Sequence, residues 1–391
     1  MQRLRGAPQR LGLTGRGLLV ADLNTWAAAG RRAFAYIMDS GVATVEILVL
    51  REARPLPTEP VVDQVQAHAD GVDFLIAVGG GTITDVVKYV SSGLSVPFIA
   101  VPTAPSMDGY TSSVSSMLFG GLKQTLPTCC PVGVYADLDV LSTAPPRLLA
   151  AGVGDLVAKY TARADWVLSH VVTGEYDCPQ TAAQLLQGVN RLRAQADELG
   201  KRTLETVRSV METLLQAGLA AHWVGSSRPT SGSEHLLAHH WEMRALQTGM
   251  DHPLHGDYVG VASVLMTWVY HAVLAGCLPL TVPDKPADSE FRQVYGTAAD
   301  AVLRARPRVC GAGTVERAAM TRPEWAAGVQ AFLPDPDELV SLLEAVQAPI
   351  RPRDLGISSL GAAEALRLGP YLRDRLTILS VTEADTAGFP F

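Results

Sequence analysis

Three segments of the sequence place carboxylate and imidazole side chains where they could bind a divalent metal ion. Asp155 follows Gly-Val-Gly and opens the helical pattern DLVAKYTARADW. His235 and His239 lie four residues apart in SGSEHLLAHHWEM, so one helix would present both on the same face. His255 follows in DHPLHGD, and five of the nine histidines fall between residues 235 and 255. One carboxylate with two imidazoles, leaving positions for water or substrate, is typical of a catalytic metal site.

Ordinary histidines on a helix face are the alternative for His235 and His239, and the clustering favours the metal site. The same segment predicts where its helix begins. Ser231-Gly-Ser-Glu234 matches a capping box, in which the two side chains bond the backbone of the first turn. We therefore expect this helix to begin at Ser231.

A glycine-rich turn points to a second site, for an anionic ligand. In FLIAVGGGTITDVVKYV, three glycines separate an apolar strand from a helix. Glycines let the backbone approach a ligand closely, and the N–H groups of a helix N-terminus favour phosphate. This is not the GxGxxG fingerprint, and a simple tight turn is the alternative. A polar loop after the next strand, PTAPSMDGYTSS, favours a site because two polar loops would adjoin at strand ends.

Alternating strands and helices must position the glycine-rich turn. Continuous apolar runs predict strands at 17–21, 45–50, 74–78 and 97–101, with helices at 27–38, 60–69 and 83–91 between them. This order is typical of a mostly parallel sheet with helices on both faces, whose ligands bind beyond the carboxyl ends of the strands. After residue 145 the patterns are almost entirely helical. We predict a Rossmann-like α/β nucleotide-binding domain over 1–150 and an all-helical metal- and substrate-binding domain over 151–391.

Composition limits the classes of partner. The chain has 391 residues, 48% of them hydrophobic, and a net charge of −7. An acidic surface argues against nucleic acid or an anionic membrane as the main partner. The stretch from Tyr258 to Pro283 carries no charged residue, but prolines and His271 interrupt it, so we expect a buried helix rather than a membrane span.

Two further patterns favour a cytoplasmic protein. The N-terminal MQRLRGAPQRLGLTGRG is basic and lacks the apolar stretch of a secretory signal, so we expect a frayed basic leader. Five cysteines without a CxxC pair indicate reduced, buried thiols rather than a disulfide framework or a zinc cage.

Together these segments resemble the sn-glycerol-1-phosphate dehydrogenase family. Its wider relatives are glycerol dehydrogenase, the iron-containing alcohol dehydrogenases and 3-dehydroquinate synthase, and the resemblance implies a dehydroquinate synthase-like fold. It extends from about Gly17 to about Thr267. Six segments in the family's order carry it: GGGTITDVVKY, PTAPSMDGYTSS, DLDVLSTAP, AGVGDLVAKYTARADW, SGSEHLLAHHWEM and HGDYVGV.

The resemblance implies a role for each candidate residue. It makes Asp155, His235 and His255 the ligands of a single Zn²⁺ or Ni²⁺. Asp22, after the first strand, would bind the adenosine ribose, and its charge would repel a 2′-phosphate, which favours NAD(H) over NADP(H). Asp108 and His239 would contact the substrate, as would Asp155. The remaining implied cofactor contacts are Gly80, Gly81, Thr82 and Asp85 on the pyrophosphate side, and Thr103, Ala104, Pro105, Ser106 and Ser112 on the nicotinamide side.

The implied activity is the metal-dependent, NAD(P)H-dependent interconversion of dihydroxyacetone phosphate and sn-glycerol 1-phosphate, in phospholipid metabolism, by a homodimer. Asp155, His239 and Asp108 would be the catalytic residues, and Lys123, Lys159 and Arg163 are candidate cations for the substrate phosphate. Three alternatives stay open. The first is a sugar-phosphate cyclase of the 3-dehydroquinate synthase type; in that family the metal carboxylate is a glutamate. The second is a glycerol or alcohol dehydrogenase, and the third is a non-catalytic nucleotide-binding homologue.

Overall fold

The computed structural model describes residues 1–39, 44–52, 54–249, 252–305 and 311–385. They group into two compact units. The first contains Met1–Phe119, Lys123–Gly152 and Lys201–Gly225, and the second contains Gly120–Leu122, Val153–Gly200 and the chain from Ser226 onward. The sequence analysis placed residues 201–225 in the helical domain, whereas they pack with the first unit. The nucleotide-binding and metal-binding roles of the two domains stay predictions.

A five-stranded parallel sheet forms the centre of the first unit, in the order β2-β1-β3-β4-β7. Every residue of β1 and β3 is buried, which explains why these strands are continuously apolar. The predicted α/β class is therefore confirmed. A two-stranded hairpin that the sequence analysis did not predict follows β4. The strands are β1 (Gly17–Asp22), β2 (Val45–Leu50), β3 (Phe74–Gly79), β4 (Phe98–Pro102), β5 (Val114–Phe119), β6 (Leu122–Pro127) and β7 (Gly133–Val134).

Helices account for most of the remaining described chain, and past residue 134 the described part contains no strand. The predicted all-helical C-terminal region is confirmed. A π-helical turn, Trp26–Gly30, joins the second and third helices. The helices are α1 (Ala7–Arg10), α2 (Leu23–Thr25), α3 (Arg31–Met38), α4 (Glu59–His68), α5 (Gly81–Leu94), α6 (Leu138–Ser142), α7 (Pro146–Thr173), α8 (Pro179–Ala194), α9 (Ala196–Leu199), α10 (Leu204–Val224), α11 (Ser233–Thr248), α12 (His255–Leu274), α13 (Asp288–Tyr295), α14 (Ala299–Ala305), α15 (Ala312–Met320), α16 (Arg322–Gln330), α17 (Pro336–Ala345) and α18 (Ser359–Leu368).

Alternate residues of each strand enter two separate cores on the two faces of the sheet. On one face, Leu18 and Leu75 pack with apolar side chains of α4 and α5. On the other, Leu19 and Ile76 pack with side chains of α3 and α6. Because side chains alternate along a strand, the sheet is covered by helices on both faces and leaves its strand ends for polar loops.

The N-terminal segment belongs to this second core. Gln2–Leu4 forms a 3-10 turn before α1, and Leu4 and Ala7 are fully buried beside Leu19. The predicted frayed leader is therefore wrong, because its scattered apolar side chains cover the sheet. The expectation of buried thiols is also wrong for the described cysteines. These are thiols, but Cys129, Cys130 and Cys178 are half-buried and Cys277 is exposed, while Cys310 lies outside the described residues.

The apolar helix α12 forms the centre of the second unit. By length and composition it could cross a membrane, but 72% of its most apolar 18-residue window is buried inside the protein. Its residues contact α7, α11 and the segment after α18 in the largest hydrophobic core. A helix buried on all sides is apolar all round, and this accounts for the uncharged stretch in the sequence.

Candidate active site

Three polar segments begin at the carboxyl ends of adjacent strands in the first unit. β1 pairs with β2 on one side and β3 on the other, so the chain changes direction across the sheet at β1. Ligands of open parallel sheets bind at such a switch point. Asp22 ends β1, and the register pairs Gly79 of β3 with Pro102 of β4. The glycine-rich turn and the loop after β4 therefore leave the sheet side by side.

The three glycines of the turn differ in what surrounds them. A Cβ added to Gly79 would lie 2.6 Å from Ile83 Cβ, and one added to Gly81 would lie 2.9 Å from Met107 Sδ. These two glycines are needed by the protein's own packing. At Gly80, the N-cap of α5, φ is −83° and an added Cβ would meet no atom within 4 Å. The open space at Gly80, above the N-terminus of α5 and half-buried Thr82, can accept a phosphate group.

A fully buried lysine fixes the loop after β4 on α5. Lys88 Nζ donates to the carbonyl oxygens of Gly109 and Val114 at 2.6 and 2.8 Å, and to Ser112 Oγ and Asp85 Oδ1 at 3.2 and 3.3 Å. Burial raises the pKa of the Asp85 carboxyl, although the adjacent ammonium opposes that shift. The structure thus places Asp85 and Ser112, two predicted cofactor contacts, in the framework that holds the loop.

The first part of this loop carries the other predicted nicotinamide-side contacts. Thr103 N donates to Gly79 O at 3.2 Å, and Tyr110 OH donates to Ala104 O at 2.7 Å. Pro105 is buried and Ser106 is half-buried. These bonds join the start of the loop to the glycine-rich turn.

Two helices approach the same loop closely through glycine. A Cβ on Gly218 of α10 would lie 2.5 Å from Asp108 O, and one on Gly152 of α7 would lie 2.0 Å from Pro105 O. Thr111 Oγ1 also donates to Leu215 O of α10 at 2.7 Å. Residues 201–225 therefore support the predicted cofactor loop, which explains their place in the first unit. Asp108, a predicted substrate contact, is half-buried in this loop.

Asp22 caps the helix that follows it. Its Oδ1 accepts from Thr25 N at 2.8 Å, and Thr25 Oγ1 accepts from Asp22 N at 3.0 Å. This arrangement fixes a carboxylate at the carboxyl end of β1 beside the switch point. Its contact with a ribose stays a prediction.

In the second unit, Asp155, His235 and His255 lie together. One ligand atom from each lies within 4.8 Å of the other two, and Asp155 Oδ1 is 3.7 Å from His235 Nε2. Three helices supply these side chains, since Asp155 lies in α7, His235 in α11 and His255 at the start of α12. Asp155 and His235 are buried and His255 is half-buried. Such a set suits a borderline transition-metal dication with an open coordination position.

Both imidazoles are oriented by buried carboxylates. His235 Nδ1 lies 2.7 Å from Glu234 Oε1, and His255 Nδ1 lies 2.9 Å from Glu242 Oε1. An ionised carboxylate only accepts hydrogen bonds, so each Nδ1 carries the proton and each Nε2 keeps its lone pair. Histidine ligands of metal ions in proteins are usually held in this way. His239, Glu242 and His255 also place ligand atoms within 4.8 Å, but Glu242 is engaged by His255 Nδ1 and therefore serves to orient it.

The protonation states agree with this arrangement. Burial lowers the pKa of His235, which favours the neutral, metal-binding imidazole. Burial acts to raise the pKa of the Glu234 carboxyl, but hydrogen bonds outweigh it and hold that pKa below its usual value. These bonds come from His235, from Gly232 N at 2.6 Å and from Thr161 Oγ1 at 2.8 Å.

Glu234 is therefore not part of a capping box with Ser231. The helix begins at Ser233 with Gly232 as its N-cap, and no side-chain hydrogen bond caps it. The predicted start at Ser231 is wrong because the Glu234 carboxylate bonds Gly232 N, Thr161 and His235 instead. Residues 231–234 do match the capping-box pattern, but tertiary contacts engage the Glu234 carboxylate instead.

A close helix crossing places His255 beside Asp155. A Cβ on Gly154 of α7 would lie 2.1 Å from Gly256 O, and one on Gly260 would lie 3.1 Å from Gly154 Cα. Only hydrogen at these positions lets α7 and α12 approach so closely. Gly154 of α7 and Gly260 of α12 thus allow the close helix crossing that brings Asp155 and His255 together.

His239 lies one turn after His235 and borders the same cluster. Its ring centroid is 5.7 Å from that of His255 and 6.1 Å from that of His235. Arg373 Nη2 lies 3.3 Å from His239 Nδ1. A guanidinium only donates, so Nδ1 is the acceptor and the neutral His239 ring carries its proton on Nε2.

Two of the predicted phosphate-binding cations have other partners. Lys159 Nζ donates to Asp155 Oδ1 and to Thr230 O, both at 3.2 Å. Arg163 forms a bidentate pair with Asp177. Lys123 lies in β6 of the first unit. Glu234, Glu242 and Arg373 were missed by the sequence analysis, and only the two glutamates carry a local signal, since each lies on the helix of the histidine ligands.

Comparison with known proteins identifies the family. Residues 1–145 match the family model for iron-containing alcohol dehydrogenase. A protein of Geobacillus thermodenitrificans named glycerol-1-phosphate dehydrogenase, NAD(P)+, is 32% identical over 369 residues, which cover 93% of this chain and 85% of the relative. A protein of the same name from Thermococcus kodakarensis is 37% identical over 264 residues, covering 67% and 73%.

The chain belongs to the glycerol-1-phosphate dehydrogenase family.

The resemblance drawn from six sequence segments is thereby confirmed. The crystal structure of an iron-containing alcohol dehydrogenase from Corynebacterium glutamicum has the same fold, with a TM-score of 0.63 at 17% identity, covering 98% of this chain and 92% of that one. In this member of the glycerol-1-phosphate dehydrogenase family, the match at 32% identity takes in most of the helical unit as well.

Proposed function

We propose that the protein is a metal-dependent dehydrogenase that interconverts dihydroxyacetone phosphate and sn-glycerol 1-phosphate with NAD(P)(H). The observation that carries the proposal is the convergence of Asp155, His235 and His255 in a chain of the glycerol-1-phosphate dehydrogenase family. A catalytically retired homologue would be expected to lose one of these side chains. All three are present, and two carboxylates orient the imidazoles.

The donor set fits one divalent cation, which we propose to be Zn²⁺ or Ni²⁺. Three carboxylates, Asp155, Glu234 and Glu242, lie in the cluster or one hydrogen bond from it, and Lys159 is paired with Asp155. The carboxylates of this set favour a bound cation. When bound, the cation would polarise the substrate carbonyl and the nicotinamide would exchange hydride with the substrate carbon.

The protein's own side chains would orient the substrate. His239 keeps a proton on Nε2 because Arg373 donates to Nδ1, so the ring is a hydrogen-bond donor suited to a substrate oxygen. Asp155 would contact the substrate as well as the metal, and Asp108 would accept a hydrogen bond from a substrate hydroxyl. These substrate roles follow from the family resemblance.

We further propose that NAD(H) is preferred over NADP(H). The support is the carboxylate of Asp22, fixed by Thr25 at the carboxyl end of β1, where it would repel a 2′-phosphate. The open space at Gly80 supports the pyrophosphate contact, because an added Cβ there would meet no atom of the described residues within 4 Å. A cytoplasmic location stays a prediction from the sequence composition, and a homodimer stays a prediction from the resemblance.

The test is NADH oxidation with dihydroxyacetone phosphate by metal-free protein reconstituted with Zn²⁺ or Ni²⁺. We expect turnover only with metal, lower kcat/KM with unphosphorylated dihydroxyacetone, and lower kcat/KM with NADPH. Absence of turnover with either metal, in protein that binds NADH, would refute the proposed reaction. A sugar-phosphate cyclase would consume no NADH overall, and a plain glycerol dehydrogenase would favour the unphosphorylated substrate.

A further inference from the structure

Two arginines after α18 lie near the metal-binding cluster of the second unit. Arg373 has an extended backbone, with φ −145° and ψ 148°, and Arg375 follows two residues later. Both arginines are partly buried, whereas Asp374 between them is exposed. The guanidinium of Arg373 contacts His239, and that of Arg375 contacts the segment before α11.

Arg373 reaches the proposed substrate position. Its Nη2 lies 3.3 Å from His239 Nδ1, and the His239 ring stacks 5.7 Å from the ring of His255. The guanidinium consequently borders the same cluster as the metal ligands. Its partly accessible side chain can contact a ligand that also reaches His239.

Arg375 is held by the protein backbone behind Arg373. It donates to Ser231 O and, at 2.8 Å, to Ser227 Oγ, both of which are neutral acceptors. Arg228, a third guanidinium nearby, is neutralised by Glu175 at 2.6 Å. Of the three, Arg373 is the one that lies against the cluster.

Arg373 and Arg375 stay charged although burial acts on both guanidinium groups. Burial lowers the pKa of Arg373 to about 10, and burial with the charges of Arg228 and Arg373 lowers that of Arg375 to about 9, so both stay cationic at neutral pH. Glu234 attracts both, but its oxygens already accept hydrogen bonds from His235, Gly232 and Thr161. A partly desolvated guanidinium beside a substrate position favours contact with an anionic group of the ligand.

We propose that Arg373, supported by Arg375, binds the phosphate group of the substrate and gives the enzyme its preference for a phosphorylated polyol. This inference rests on the proposed function. In dihydroxyacetone phosphate one methylene and one ester oxygen separate the carbonyl carbon from phosphorus, so the phosphate lies close to the reacting end. A planar guanidinium can bind two phosphate oxygens at once. Lys159 and Arg163 form ion pairs with Asp155 and Asp177, whereas Arg373 contacts the neutral imidazole of His239.

The decisive variant is Arg373→Gln. We expect KM for dihydroxyacetone phosphate to rise about 10- to 100-fold, the loss typical of a hydrogen-bonded charged partner, with a smaller change in kcat. KM for unphosphorylated dihydroxyacetone should change much less, so the preference for the phosphorylated substrate should fall. If Arg373 only positioned His239, kcat would fall equally for both substrates, and that result would overturn the inference.

Two further variants separate charge, geometry and folding. Arg373→Lys keeps the charge but loses the planar fork, so it should fall between wild type and Arg373→Gln in its preference for the phosphorylated substrate. Arg317→Gln removes an exposed arginine of α15 and should match wild type. Wild-type preference in Arg373→Gln would refute the phosphate role.

Binding to metal-free protein provides a readout without turnover. Isothermal titration with sn-glycerol 1-phosphate and with inorganic phosphate should give weaker binding in Arg373→Gln than in wild type, while glycerol should not distinguish them. If wild type binds these anions through Arg373 but never reduces dihydroxyacetone phosphate, the proposed reaction fails and the anion site stands. If wild type turns over and the variant binds phosphate equally well, the inference fails alone.

Discussion

Replacing Glu242 by glutamine tests whether the imidazole of His255 is a metal ligand. The Glu242 carboxylate is 2% exposed and accepts from His255 Nδ1 at 2.9 Å. Glutamine has nearly the same shape and keeps one oxygen acceptor, so the fold should persist. What changes is the charge that fixes the tautomer and raises the basicity of Nε2.

The expected magnitude follows from this hydrogen bond. A bond to a charged acceptor contributes about 1.5–3 kcal/mol, and a neutral one about 0.5–1.5 kcal/mol. The difference of about 1–1.5 kcal/mol corresponds to roughly a tenfold loss of metal affinity. The loss of metal affinity can approach about 100-fold, because water screens the buried Glu242 charge poorly and the His255 ring would be less well oriented in the variant.

The assay is a competition titration of Zn²⁺ between the protein and a chromophoric chelator. Glu316→Gln, which neutralises an exposed carboxylate on α15, is the matched control and should bind Zn²⁺ as wild type does. Thermal unfolding of the metal-free proteins checks that Glu242→Gln is folded. Wild-type Zn²⁺ affinity in folded Glu242→Gln would refute the assignment of His255 as a ligand oriented by Glu242.

Three other substitutions test the glycine contacts and a buried acid. Gly80→Ala should leave the thermal midpoint unchanged, because an added Cβ meets no atom of the described residues within 4 Å. It should weaken NADH binding at least about tenfold, because the methyl group enters the space proposed for the pyrophosphate. Equal NADH affinity of the two proteins by titration would contradict the cofactor position. Gly154→Ala would place Cβ 2.1 Å from Gly256 O, so urea unfolding should show a loss of about 1–3 kcal/mol in unfolding free energy, and titration should show weaker Zn²⁺ binding. The control is Gly313→Ala, where an added Cβ meets no atom of the described residues within 4 Å. Equal stability and Zn²⁺ affinity in the two variants would refute the argument from the close helix crossing. Burial, together with the charge of Glu234, raises the pKa of Asp165 to about 6. The contribution of the protonated Asp165 side chain to stability is therefore fully present below the unfolded pKa near 4 and is lost as the pH rises through 6. The difference in unfolding free energy between wild type and Asp165→Asn should therefore shrink by about 2–3 kcal/mol from pH 4 to pH 7, and a constant difference would show that the pKa is not raised.

Sequence patterns predicted the central strands and the ligand segments for identifiable physical reasons. Strands such as Phe74–Gly79 are buried on both faces, so their sequences are continuously apolar and bounded by turn residues. The segments predicted to bind the metal carry unusual residue types at helical spacing, and His235 and His239 indeed lie one turn apart in α11. Local pattern and tertiary role agree at these positions.

Features that depend on distant contacts were not predicted. Lys88 bonds backbone atoms 21 and 26 residues away, and Arg373 meets His239 across 134 residues. Neither contact leaves a periodic trace in the sequence. The helical pattern of residues 204–224 likewise says nothing about which unit it packs against. Glu234 matches the local capping-box pattern but does not cap the helix, because its carboxylate bonds His235 and Gly232 N instead.

The most direct test of the metal site compares metal content and NADH binding in wild type and His235→Ala. Metal content is measured by mass spectrometry after reconstitution with Zn²⁺ and desalting, and NADH binding by fluorescence titration. We predict one ion per chain in wild type, little or none in His235→Ala, and the same NADH affinity in both proteins. Full metal content in His235→Ala would contradict the assignment of Asp155, His235 and His255 as the metal-binding centre.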